Sequence, residues 1–169
     1  MNPFKTSLVG GMAAQSSRSL VSRDATDHEP KRLEVNLVFT DAQTTAGAVA
    51  TVESLAQDLG ACIRLRAPVV VPRQLPLDES PVSVGFVEGC LADLASRLED
   101  DGFESTAHVY LCRDQTEALL QVLRPNSLLV VGGQSRWWPT RLGRLVKVLR
   151  SQGHRVVFVT RNGCQPDGQ

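Results

Sequence analysis

Ser127-Leu128-Leu129-Val130-Val131-Gly132-Gly133 is a short, unbroken apolar run that stops on paired glycines. A strand that is apolar on both faces must be covered on both faces, which is the situation of strands in parallel sheets packed between helices. The residues on either side agree. Upstream, Asp114-Gln-Thr-Glu117 has capping-box spacing with an aspartate as the cap. Ala118, Leu119, Val122 and Leu123 then line one side of a short helix that Pro125 closes. Downstream, a helix starting near Thr140 turns Leu142, Leu145, Val146 and Leu149 inward and ends at Gly153. Arg155–Thr160 reads as the next strand.

The same alternation runs back toward the start. Residues 106–112 form a strand, preceded by a helix that Ser80-Pro81 starts with a capping hydroxyl and a proline at the first position. That helix carries Val87, Leu91, Leu94, Ala95 and Leu98 on one face and stops at Asp101-Gly102. Residues 61–71 form a strand leading into a Pro-rich loop. Thr44 or Thr45 caps a helix in which Val49, Val52, Ala56 and Leu59 recur, ending at Gly60. Residues 33–40 are the first strand. Strands alternating with amphipathic helices predict an α/β fold, a three-layer α/β/α sandwich on a five-stranded parallel sheet, over residues 33–162. Residues 1–32 read as a disordered N-terminal tail and residues 163–169 as a loose C-terminal one. The first 23 residues contain no acid and are rich in Ser and Arg, which leaves an organelle-targeting segment as the alternative.

The composition is that of an ordinary globular chain, 21% charged and 42% hydrophobic, with no apolar run long enough to cross a bilayer. Four cysteines lack Cys-x-x-Cys spacing, and no Cys/His cluster suggests zinc. Cys62 and Cys112 fall inside strand patterns and read as buried thiols of a reducing, cytoplasmic compartment. The net charge is zero but unevenly spread. Residues 78–117 hold ten Asp/Glu and two Arg, whereas residues 118–166 hold eight Lys/Arg and no acid. Either the two segments meet and neutralise each other, or the basic one serves an anion or a partner.

Strong catalytic motifs are missing. The first strand–helix turn, Thr40-Asp-Ala-Gln-Thr-Thr-Ala-Gly47, is not G-x-G-x-x-G, and no G-x-x-x-x-G-K-[ST] occurs. Gly133-Gln-Ser135 begins like a nucleophile elbow without its closing glycine. Asp41 and Asp114 could fill two roles of a phospho-receiver, but no lysine follows the last strand. In parallel sheets ligands gather beyond the carboxyl ends of the strands, which singles out Thr40-Asp41, Arg113-Asp114 and the segment 132–136. Gly132 and Gly133 would let a phosphate approach the backbone, and Ser135, Arg136, Arg141 and Arg144 would add donors. The alternative is a tight turn with solvated arginines. Both tryptophans, Trp137 and Trp138, sit in the same loop. His154, after Gly153, stands where a positive charge suits a helix end.

The order of elements, Val38-Phe-Thr-Asp41, Leu59-Gly-Ala, Leu128-Leu-Val-Val-Gly132 and Val148-Leu-Arg150 before Val156-Val-Phe-Val159 resemble the universal stress protein family over residues 34–160. The resemblance implies sheet order 3-2-1-4-5, with Asp41 and Gly132 in one crevice. ATP-binding members carry G-x2-G-x9-G-[ST] after the fourth strand. Gly132 matches the first glycine, Ser135 stands at the second, and Leu142-Gly143 occupies the place of the closing pair. The expected function is therefore a binding or regulatory domain of the stress response without catalysis. The alternative is a protein that binds a nucleotide (ATP or AMP) or another anion through Asp41, Gly132, Gly133, Ser135 and Arg136, with slow hydrolysis as a variant. No metal and no DNA are expected. The resemblance also implies a homodimer through the fifth strand.

Overall fold

Asp41 and Asp114 each stand one residue before a run with helical spacing, and each caps a helix. These two junctions anchor the alternation of strand and helix. The computed structural model describes residues 4–8, 33–77, 84–133, 141–160 and 163–164. In chain order the elements are β1 (Phe4–Leu8), β2 (Glu34–Val38), α1 (Ala42–Leu59), β3 (Cys62–Val70), α2 (Val84–Asp100), β4 (Ser105–Cys112), α3 (Gln115–Val122), β5 (Leu128–Gly133), α4 (Arg141–Ser151), β6 (Arg155–Thr160) and β7 (Gly163–Cys164).

The sheet runs β1-β4-β3-β2-β5-β6-β7. Its five central strands, β4-β3-β2-β5-β6, are all parallel and stand in the expected 3-2-1-4-5 order. Both edges depart from the sequence reading. Phe4–Leu8, read there as part of a disordered tail, forms β1 parallel to β4, with Phe4 opposite Ala107 and Leu8 opposite Leu111. Gly163 and Cys164, read as loose, pair antiparallel with Thr160 and Val159. Main-chain groups on an open strand edge recruit a partner whatever its side chains, so neither segment needs a strong pattern of its own. Residues 9–32, also read as tail, lie outside the described residues.

Each face of the sheet carries its own core. Ile63, Leu65, Ala67 and Val69 of β3 pack with α1 and α2, where Val49, Val52, Leu91 and Leu98 are buried. Val38, Leu129, Val131 and Val156 pack on the other face with Leu119, Leu145 and Leu149 of α3 and α4. Helix α3 has only eight residues, about 12 Å of length, against nine residues in β3. On its face the first half of β3 therefore carries Arg64 and Arg66 rather than apolar residues. The Arg64 guanidinium reaches Glu34 Oε1 (3.3 Å) and Thr106 Oγ1 (2.6 Å), and Arg124 approaches the same glutamate oxygen at 3.8 Å. Arg66 is only 8% exposed, yet its partners are neutral: Nε donates to Asn36 Oδ1 (2.5 Å) and Nη1 to the Tyr110 hydroxyl (2.7 Å).

His154 corrects the sequence reading. It is buried between α4 and β6, its Nδ1 has no hydrogen-bond partner among the described residues, and burial holds its pKa below the ordinary 6.5. The imidazole is thus neutral in the fold instead of serving as a cation at the helix end. The unfolded chain takes up the proton first, so acid favours unfolding. The contribution of this residue should be fully present above pH 6.5 and fall as pH drops below it. Urea midpoints at about pH 5 and about pH 7.5 should differ for the native chain, and the part owed to this residue should vanish in His154→Gln.

Candidate functional site

The end of β2 and the end of β5 are neighbours, with Val38 opposite Val131, so Asp41 and Gly132 do meet at one rim of the sheet. What they do there follows from their contacts. Asp41 Oδ1 accepts from the backbone N–H of Gln43 (3.0 Å) and Thr44 (2.9 Å), and Oδ2 accepts from Thr44 Oγ1 (2.6 Å). The carboxylate is the N-cap of α1. Partial burial pushes its pKa up, but the three hydrogen bonds from Thr44 and Gln43 outweigh that and hold it below the usual 3.8. Thr40 Oγ1 donates to the Gly132 carbonyl (2.9 Å) and lies 2.8 Å from Thr44 Oγ1. These hydroxyls tie β2, α1 and β5 together.

The glycines are there for packing. A Cβ on Gly132 would fall on the carbonyl oxygen of Thr44 and within 2.8 Å of its carbonyl carbon. A Cβ on Gly133 would lie 2.5 Å from Phe158 Cζ and 2.7 Å from Leu142 Cδ2, on the opposite face. The chain itself occupies the Cβ side of both glycines. Ser135, Arg136, Trp137 and Trp138 lie outside the described residues.

An open cavity of about 480 Å³ lies beyond the carboxyl ends of β3 and β4. Val70, Val71, Pro72 and Arg73 form one wall, Arg113, Asp114, Gln115 and Thr116 a second, and Arg141, Arg144 and Leu145 of α4 a third. Val71 and Leu145 are its buried apolar floor. Among the described residues the lining thus holds four arginines against one carboxylate. Arg113 is committed to structure. Its guanidinium donates to the carbonyls of Val71 (3.1 Å), Pro72 (2.5 Å) and Leu75 (2.8 Å), which pins the loop that carries Arg73. Asp114 is committed as well, since its Oδ1 accepts from Glu117 N (2.9 Å) as the cap of α3. Arg73, Arg141 and Arg144 are exposed and have no ion pair among the described residues. The amino ends of α3 and α4 face the same space and add positive partial charge.

No activated nucleophile lines this cleft among the described residues. Cys112, at the end of β4, has its thiol pushed up to about 11 by burial, with the charges of Asp114 and Glu117 adding to it. It stays a thiol at neutral pH, and thiols are poor nucleophiles. Sequence reasoning singled out Arg113-Asp114, Arg141 and Arg144 but missed Arg73. Its only signal was its place just past a strand's carboxyl end, behind a proline.

No protein-family model matches the chain, and no curated protein matches its sequence. Solved structures do match in fold. A universal stress protein from Archaeoglobus fulgidus superposes with a TM-score of 0.55 at 12% identity, over 75% of this chain and 92% of that one. A protein of the universal stress protein family from Burkholderia pseudomallei gives 0.51 at 17% identity, over 75% and 94%. At these identities the likeness speaks for the fold alone.

Proposed function

From a universal stress protein fold, we propose that the chain is a binding and regulatory domain of the stress response, without catalysis, that recognises an anion in its arginine cleft. The observation that carries this is the set Arg73, Arg141 and Arg144, three exposed guanidinium groups without ion pairs among the described residues, around one cavity whose fourth arginine is already pinned. Guanidinium groups recognise phosphate and carboxylate through paired N–H donors, and a cavity of this volume lies within the range of small-molecule sites. The preferred ligand class is a small phosphate compound. ATP or AMP is the second reading, favoured by the volume and by the apolar floor of Val71 and Leu145.

Thermal unfolding with phosphate, pyrophosphate, AMP and ATP tests the site. A ligand at about a hundred times its dissociation constant stabilises by roughly 2.7 kcal/mol, which is several degrees for a domain of this size. Arg73→Ala combined with Arg144→Ala should remove the shift. Asp41→Ala should lower the melting temperature, through loss of about 1 kcal/mol of capping, yet leave the shift in place. Flat melting curves with all four compounds would end the anion reading.

The proposed homodimer uses β6. On its outer edge only Val159 and Thr160 are paired with β7, which leaves residues 155–158 without a strand partner on that side among the described residues. No helix among the described residues is long and apolar enough to cross a membrane. We place the protein's work in the cytoplasm.

A further inference from the structure

The acidic end of α2 and the arginines of the cleft do not meet in the fold. Helix α2 packs on one face of the sheet and α4 on the other. They also differ in height. Helix α2 ends on Glu99 and Asp100 and the turn begins with Asp101, all exposed, at the amino ends of the strands, just before β4 starts at Ser105. The cleft with Arg73, Arg141 and Arg144 lies past the carboxyl ends. The eight residues of β4 separate the two ends by about 26 Å, several screening lengths at physiological salt.

Neither charge cluster serves its own helix. Carboxylates are unfavourable at a helix C-terminus, and α2 ends on Glu99 and Asp100, with Asp101 next. Cations are unfavourable at a helix N-terminus, and α4 begins with Arg141 and Arg144 and has no acid in its first turn. A departure from local preference at both ends, in opposite senses, marks groups kept for an outside partner.

We infer that the acidic tip Glu99-Asp100-Asp101 of one copy seats in the arginine cleft of the next, joining chains head to tail. The inference rests on the anion reading of the cleft and names a second copy of this chain as a macromolecular occupant. Carboxylates and phosphates are bound by the same guanidinium geometry, so a phosphate compound competes with the tip. Because tip and cleft are different surfaces, the contact is heterologous and continues into rings or open chains instead of closing on a two-fold axis. Each link brings the negative end of one helix against the positive end of another, and salt weakens it. Ligand binding then controls assembly.

The full chain is run in sedimentation velocity at about 20 mM and about 300 mM salt. Mass above that of the high-salt species is expected at low salt, and pyrophosphate should reverse it. Arg141→Glu with Arg144→Glu, and separately Glu99→Lys with Asp100→Lys and Asp101→Lys, should each stay at the high-salt mass. A mixture of the two variants should associate again, because each supplies the charge the other has lost. A mass that does not change with salt overturns the inference, and so does association untouched by either variant. A salt-independent dimer untouched by both variants is the β6 pairing. If pyrophosphate raises the melting temperature of a chain whose mass never responds to salt, the cleft is an anion site and the head-to-tail contact is wrong. If neither response occurs, the anion reading falls with it.

Discussion

Gly132→Ala is expected to destabilise the domain by about 3 kcal/mol, roughly 10 °C in melting temperature. The added Cβ meets the backbone of Thr44 in the first turn of α1, not a side chain that can rotate away. Relief requires α1 to move off β5, which would pull Thr40 Oγ1 from the Gly132 carbonyl and disturb the Asp41 cap. The anion response of the molecules that remain folded should persist, since the cleft lies elsewhere. Had the glycine been kept for a bound phosphate, the substitution would spare stability and abolish binding. Gly47→Ala is the control. It lies within α1, the Cβ that alanine adds there meets nothing within 4 Å, and the change should gain roughly 0.5–1 kcal/mol from helix propensity. Denaturant midpoints of the two variants should therefore move in opposite directions. Equal, small effects would contradict the packing role.

Asn36→Leu should be nearly as damaging, at about 3 kcal/mol. It leaves the buried Arg66 guanidinium without the acceptor of its Nε–H, and takes from the Leu128 carbonyl the donor Asn36 Nδ2 at 3.2 Å. A buried charge that loses a partner costs far more than the hydrogen bond itself is worth. Asn36→Asp keeps an acceptor in place and should cost less than the leucine. Tyr110→Phe removes only the second acceptor, at 2.7 Å, and should cost about 1 kcal/mol. Chemical denaturation of the three variants gives the ranking. If leucine proves the mildest, the network is not what holds Arg66 in the sheet.

The central architecture was legible because its signals are local. Val130 and Val131 are buried on both sides of the sheet, as the unbroken apolar run predicted. Asp114 caps α3, where its spacing to Glu117 placed it. Gly60 and Gly153 take positive φ at the ends of α1 and α4, where the periodic pattern stopped. The candidate site was legible only in part. Asp41 and Gly132 are adjacent, as the expected strand order required, but their atoms are spent on the chain itself. Arg73 and Arg144 are 71 positions apart in sequence and face one cavity only because β3 and α4 end at the same rim.

By itself the sequence determined the order of the elements, the parallel central sheet and the helix caps, all of which depend on residues a few positions apart. Tertiary structure alone decided that two glycines fill packing contacts, that Arg66 is buried among neutral partners, that His154 is uncharged, and that the acidic end of α2 and the arginine cleft stand at opposite ends of the strands. Each of those outcomes depends on which distant atoms share a volume, and periodicity along one segment does not encode that.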